Sequence, residues 1–421
     1  MRTLTIVTFL MTFFFVGCQQ EEENILIDLM QQNSDKFGGI MKNKDKYEVQ
    51  IIYTQINRDE IKTPHFTSYT YNVDSSRYFY PSDFVALPTA AMSLEKLILL
   101  HQRSSHGTPP DYKYYNLQTG VAREPQTAAT TDSTAENNLP SVAQYTKKMF
   151  LTGDKNAYNR LYEFLGQNYL NTQFSNKKQN QSRVLHRLDA DEFDYEANKY
   201  SNPYQLFDGD KMVFEQKEVY GLGPNQINLG STLKGKAFVK ADGTLVNQPF
   251  DFSKKNFISA KDMEKMVKIS VFPEYTESND GFYLTEEDYF FLQKNMSLLP
   301  RESTFPTYDE KEYPDSYNKY LMFGGSQERI PDHIRIFNKV GKGYGYLVDC
   351  AYIVDLKNKV EFMLTAVIYT NENDTFNDGK YEYESIGLPF MANLGQVIYD
   401  YELKREREFE PEVYKFEKLH E

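Results

Sequence analysis

The sequence predicts an α/β protein in which one antiparallel sheet is assembled from both ends of the chain, beside a large and mostly helical insertion. Three observations lead there. Strand-patterned runs occur near residues 47–73 and again in the last hundred residues, the long middle carries helical periodicity and loop composition, and a helix-patterned segment lies at each end. Strands from both ends can share one sheet only if the middle is inserted beside it, which leaves a groove between two parts. At 421 residues and 40% hydrophobic content, the chain can bury a sizeable core.

The first segment, "MRTLTIVTFLMTFFFVGC", has Arg2, an apolar run from Leu4 to Val16, then Gly17 and Cys18. The run is short for a bilayer span and has the layout of a secretion signal. Phe15-Val16-Gly17-Cys18 resembles a bacterial lipoprotein processing site, with Phe15 where Leu is common. That resemblance implies cleavage before Cys18 and a diacylglycerol on its sulfur, hence a membrane anchor in the cell envelope. The following "QQEEEN" is polar and acidic, as suits a solvated tether, and resembles signals that send some lipoproteins across the outer membrane to the surface. An ordinary cleaved signal peptide is the alternative, and either one takes the mature chain out of the cytoplasm. With Cys18 lipidated, Cys350 in "GYLVDCAYIVDL" has no disulfide partner and reads as a buried thiol.

After the tether, "NILIDLMQQNSDKFGGIM" is helical in spacing and is expected to stop near Gly38-Gly39. "YEVQIIYTQI" alternates Tyr47, Val49, Ile51 and Tyr53, the period of a strand with one buried face, and Thr67 to Val73 suits a second strand. From Ser82 onward, Phe84, Leu87, Ala91, Leu94 and Ile98 recur at helical steps. In the middle, "NAYNRLYEFLG" is an amphipathic helix ended by Gly166, while "SAKDMEKMVKISVF" and "TEEDYFFLQKNMSLL" each open on a Ser or Thr cap. "HIRIFNKV", "GYGYLVDCAYIVDL" and "KVEFMLTAVIYT" are three strands separated by "GKG" and "KNK" turns, and Phe390, Leu394, Val397 and Tyr401 mark a last helix. The domain boundaries expected are a signal peptide over 1–17, a tether and first helix over 18–44, one domain over 45–410 and a tail over 411–421. Within that domain the sheet comes from about 45–80 and 332–410, and the helical part from about 81–331.

Charge and composition exclude several functions. The net charge is −13, with no extended basic face, so nucleic acid is not expected as a partner. Tyr 33 and Phe 30 with no Trp is a skewed usage that suits core-edge packing or a surface for sugar or peptide. The histidines, among them His65, His101, His106, His186 and His333, have no metal-ligand spacing, and no cofactor is implied.

Three stretches, "YPSDFVALPTAAMSLEKL", "TGDKNAYNRLYEFLG" and "FNKVGKGYGYLVD", together with this element order, resemble the class A β-lactamase and penicillin-recognising serine hydrolase superfamily. The resemblance spans roughly Tyr47 to Glu408 and implies a β-lactamase/transpeptidase-like fold, with a five-stranded antiparallel sheet flanked by the N- and C-terminal helices. Active members have Pro-x-Ser-x-x-Lys in the first stretch, where the Lys draws a proton from the Ser hydroxyl one turn away. Aligned on Pro81 and Leu87-Pro88, this chain has Asp83 for the Ser and Ala86 for the Lys. A slip by one residue nominates Ser82, but position 85 is then Val and Ser82 is turned by about 100° around the helix. Ser82 or Asp83 also suits an N-cap.

The second motif, Ser-Asp-Asn in active members, is here Gly153, Asp154 and Lys155, of which the resemblance makes the Asp structural. The third, Lys-Thr/Ser-Gly, is Lys339, Val340 and Gly341. Lys339 would offer a charge to a carboxylate, and Gly341 would let a ligand approach the backbone. Among acidic residues of "HRLDADEFDYEANKYSNP", Glu192, Asp194 and Glu196 compete for the place of the family's deacylating Glu.

Three functions remain open at this point. The first is a degenerate hydrolase that has lost acyl transfer and binds a cell-wall peptide, a glycan or an envelope protein. The second is a working hydrolase of β-lactam, peptide or ester substrates with Ser82 or Asp83 as an unorthodox nucleophile. The third is a surface protein that uses the fold as a scaffold and meets a partner through Tyr-rich loops such as "PPDYKYYN".

Overall fold

A computed structural model describes residues 24–103, 111–224, 226–277 and 280–420. The segment expected to act as a secretion signal, Cys18 and His106 lie outside the described residues. Helix α1 (Ile25–Gln32) is capped by the Asn24 side chain, and α2 (Ser34–Lys42) follows at once. The expected stop at Gly38-Gly39 does not occur: the break falls earlier, at Asn33, and α2 runs through both glycines.

Strands β1 (Gln50–Arg58), β2 (Pro64–Tyr71), β3 (Ile334–Gly343), β4 (Tyr346–Asp355) and β5 (Val360–Tyr369) form one antiparallel sheet in the order β3-β4-β5-β1-β2. The two ends of the chain meet inside it, with Gln50 of β1 opposite Val367 of β5. The middle contributes α3 (Ala86–Arg103), α4 (Val142–Leu151), α5 (Lys155–Leu165), α6 (Gln167–Asn176), α7 (Ala260–Val271) and α8 (Glu286–Ser297). Helix α9 (Leu388–Glu402) returns to the sheet. The fold is therefore the expected α/β arrangement of a five-stranded antiparallel sheet with helices on both sides.

Two hydrophobic layers account for the burial. Ile51, Tyr53, Val340 and Leu364 pack with Leu26, Phe37, Met391 and Leu394 of the terminal helices, whereas Ile52, Ile56 and Phe337 pack with residues of α3 and α7. Strand β1 consequently buries both faces, where its alternation suggested one, because the helical part covers the side left open by the terminal helices. Caps lie where the pattern put them: Ser259 accepts from the Asp262 amide, Thr285 and Asp288 form a capping box, and Gly166 ends α5 with φ +78°.

Two readings of the middle and the end are revised. The middle also holds a three-stranded sheet of Asn116–Thr119, Tyr204–Asp208 and Lys211–Gln216. In the Tyr-rich loop, Tyr112 and Tyr115 are buried and Lys113 pairs with Asp288, so most of "DYKYY" is a strut inside the molecule. At the C-terminus, Phe416 is buried against Phe337 and Tyr352, with ring centroids 5.0 and 5.1 Å away.

A buried ion pair ties the sheet halves together. Arg58 of β1 donates two hydrogen bonds to the Glu361 carboxylate of β5, at 2.7 and 2.9 Å, and the Tyr352 hydroxyl of β4 donates a third at 2.8 Å. Removing one partner leaves a buried charge without compensation. We therefore expect Arg58→Ala to cost about 3–5 kcal/mol, read as a lowered urea midpoint of unfolding.

Candidate functional site

The site begins with a close approach of backbone to backbone. Residues Ser82–Val85 form a short 3₁₀ turn that leads into α3 and packs on the end of β3. A Cβ on Gly341 would lie 2.1 Å from the Pro81 carbonyl oxygen, and one on Gly343 would lie 2.9 Å from the Ser82 hydroxyl. Both glycines are thus space for the turn, and Gly341 faces Pro81 where the resemblance suggested a ligand. Ser82 takes φ +46°, a left-handed conformation that costs a non-glycine residue about 1–3 kcal/mol. Its hydroxyl donates to the Lys342 carbonyl at 2.9 Å.

That geometry decides the neighbouring side chain. Neither Ser82 nor Asp83 caps the helix, because Pro81 holds the cap position and no side chain serves it. Asp83 instead lines an open groove of about 960 Å³, half-buried, with its Oδ1 shielded from solvent and without a hydrogen-bond partner among the described residues. Burial pushes the Asp83 carboxyl above its ordinary range, while Lys339, Lys155 and the Lys342 main-chain amide favour its charged form. Lys339, on β3, is buried beside Phe150; its ammonium has no hydrogen-bond partner among the described residues. Burial pulls Lys339 below the usual lysine value, against the pull of Asp83.

The remaining motif positions divide between groove and scaffold. Gly153, with φ +65°, and Lys155 line the groove. Lys155 pairs with Asp189 at 2.6 Å, and although burial opposes it, Asp83 and then Asp189 hold its ammonium above the ordinary value. Asp154 lines the groove too, but its side chain caps α5 by accepting from the Ala157 amide at 2.8 Å. Ala86 is buried at the start of α3, and Val340 points into the layer under the terminal helices.

Several groove residues carry no motif. Asp189 lines both the groove and an adjoining chamber of about 630 Å³, so it is the acidic residue of its loop that reaches Lys155. Of the three candidates, Asp194 lines only the chamber, Glu196 pairs with Lys199 and Tyr220, and Glu192 lines neither. Tyr317, Tyr320, Tyr344, Tyr381 and Tyr383 wall the groove. They come from loops far apart in sequence, and only the overall tyrosine excess signalled them. Among the described residues no group of His, Cys, Asp or Glu is arranged to hold a metal ion.

No family model matches this chain, and no curated protein matches it. Solved structures similar to it include a β-lactamase from Streptomyces albus G, at 11% identity over 89% of this chain and 99% of that one, with a TM-score of 0.47. A class A β-lactamase from Clostridium kluyveri is 12% identical over 88% and 98%, with a TM-score of 0.47. A β-lactamase from Burkholderia ambifaria is 13% identical over 85% and 95%, with a TM-score of 0.44.

The approach of Pro81 to β3 leaves no room for a methyl group, so Gly341→Ala should destabilise the protein by about 1–3 kcal/mol, measured by urea unfolding. Asp83 gives a signed pH dependence. The folded protein holds its proton more tightly than the unfolded chain, so the ionised group costs stability as pH rises and costs nothing where both states are protonated. Asp83→Asn should unfold at higher urea than the parent at about pH 7 and at the same urea at about pH 3.

Proposed function

We propose that this chain is a lipid-anchored envelope protein with a β-lactamase-like groove, which binds its ligand without acyl transfer. The observation that carries this reading is the identity and state of the side chain at the mouth of α3. Acyl transfer needs a nucleophile whose proton a nearby base can take. Here the groove receives a carboxylate, Asp83, and the residue one helical turn on is Ala86, which has no base to offer. Ser82, the neighbouring hydroxyl, is 3% exposed and commits its proton to the Lys342 carbonyl. The anchor is supported by the Gly17-Cys18 junction after the apolar run, and the place of action outside the cytoplasm by the same segment.

A second reading is favoured by one observation. Asp83 has an unpartnered oxygen in an open groove between two cations, a state that suits a general base or a nucleophile in a hydrolase. That reading requires turnover of an ester or a β-lactam that Asp83→Ala abolishes.

The two separate cleanly in one experiment. The purified mature chain, incubated with a fluorescent penicillin and with nitrocefin, should show no covalent adduct by intact mass and no hydrolysis above the buffer rate. An adduct on Ser82 or any other residue overturns the binding reading, and hydrolysis lost in Asp83→Ala establishes the second.

A further inference from the structure

We propose that the occupant of the groove is a neutral oligosaccharide, an inference that rests on the groove being the binding site. Four features of the groove select sugar over peptide or a charged ligand.

The first is the aromatic wall. Tyr381 and Tyr383 lie 5.4 Å apart, and each hydroxyl accepts from a main-chain amide, of Asn377 at 2.8 Å and of Gly345 at 2.7 Å. Their ring planes are therefore set before any ligand arrives. Across the groove Tyr317 is 39% exposed and packs on Tyr313, which packs on Tyr308, with centroids 4.9 and 5.2 Å apart. Rigid aromatic faces flanked by polar groups match the apolar C–H faces and the hydroxyl rim of a pyranose.

The second is a closed strand edge. An extended peptide that adds to a sheet needs free main-chain donors and acceptors on the edge strand. At the groove end of β3 the Lys342 carbonyl already accepts from Ser82, and the Lys342 amide already favours the Asp83 carboxylate. Strand addition at this residue would have to break both.

The third is charge balance. Of the lysines that line the groove, Lys155 pairs with Asp189 at 2.6 Å and Lys342 with Glu384 at 3.0 Å, Lys311 is followed by Glu312 in the same lining, and Lys148 behind Asp154 pairs with it at 3.3 Å. Such pairs leave little net field to attract a strongly charged ligand.

The fourth is the unmet hydrogen-bonding capacity. Among the described residues Asp83 Oδ1 is an acceptor without a donor on a residue that lines the groove, whereas Lys339, also unpartnered, is buried and does not line it. A ligand hydroxyl donates a hydrogen bond and so can answer the Asp83 acceptor without bringing a charge. A carboxylate has no proton to give it, and an ammonium would bring a full charge to a groove whose lysines are already paired with carboxylates.

The test is isothermal titration of the mature chain with hexasaccharides of β-1,4-glucose, α-1,4-glucose and β-1,4-N-acetylglucosamine, and with a pentapeptide ending in D-Ala-D-Ala. At least one saccharide should bind, and Tyr317→Ala should weaken it about tenfold, while Tyr317→Phe, which keeps the ring, should bind like the parent. Peptide binding weakened by Tyr317→Ala, with no saccharide binding, overturns the sugar inference and leaves the groove as a binding site. Saccharide binding indifferent to Tyr317→Ala, or no binding by any probe, overturns the inference as well. Failure of the non-acylating reading would appear separately, as a penicillin adduct.

Discussion

The contact between the Pro81 carbonyl and the bare Cα of Gly341 is the constraint on which the groove depends. It lets a turn from the helical part lie directly against the end of β3, at a distance that no side chain would permit. Ser82 is then twisted into a left-handed conformation, anchored by its hydroxyl to Lys342, and Asp83 is delivered to the groove. Phe84, Val85 and Leu87, just beyond, are wholly buried, and their packing holds the strained turn in place. The Ser82 hydroxyl is thereby tied to the main chain of β3, while the half-buried carboxyl of Asp83 beside it lines the groove.

A buried polar network supports the opposite wall. Asp349 of β4 accepts from the amides of Tyr320 and Leu321, both at 3.0 Å, and from the Asn338 side chain at 2.7 Å. Asn338 also donates to the Asn318 carbonyl, and Lys319 donates to Asn338 and to the Met296 carbonyl. Burial pushes Asp349 up and Lys319 down, and hydrogen bonds stand in place of solvent around both. The segment that presents Asn318 and Tyr320 to the groove is thereby fixed from beneath, just as Tyr381 and Tyr383 are fixed by amides on their own side. A groove rigid on both sides loses little entropy on binding.

Much of this was legible in the chain. Strand-patterned runs bounded by turn residues located all five strands, and caps at Ser259 and Thr285 located helix starts, because both signals are local and their partners lie within a few residues. The turn at Pro81 was legible as a motif, but its mechanics were not: Gly341 looked like access for a ligand, and only its distance to Pro81 shows what fills the space. Asp189 and the groove tyrosines were invisible for a similar reason. Their role is set by segments more than a hundred residues apart that meet in space, and no spacing in the chain encodes that meeting. The hairpin at Tyr204–Gln216 went unread because a short strand pair inside a loop-rich region buries little, and its pattern is correspondingly weak.

The pairing of β1 with β5 has a temporal meaning. The sheet is continuous only when Gln50 finds Val367, so a ribosome must deliver nearly the whole chain before the central ladder can close. Until then β1 and β2 are a hairpin with unpaired edge groups, and closing so long a loop is slow. Phe416, which follows all five strands, must arrive as well, since it plugs the core between Phe337 and Tyr352. The central ladder, which joins segments about three hundred residues apart, is thus among the last parts of the fold that can close.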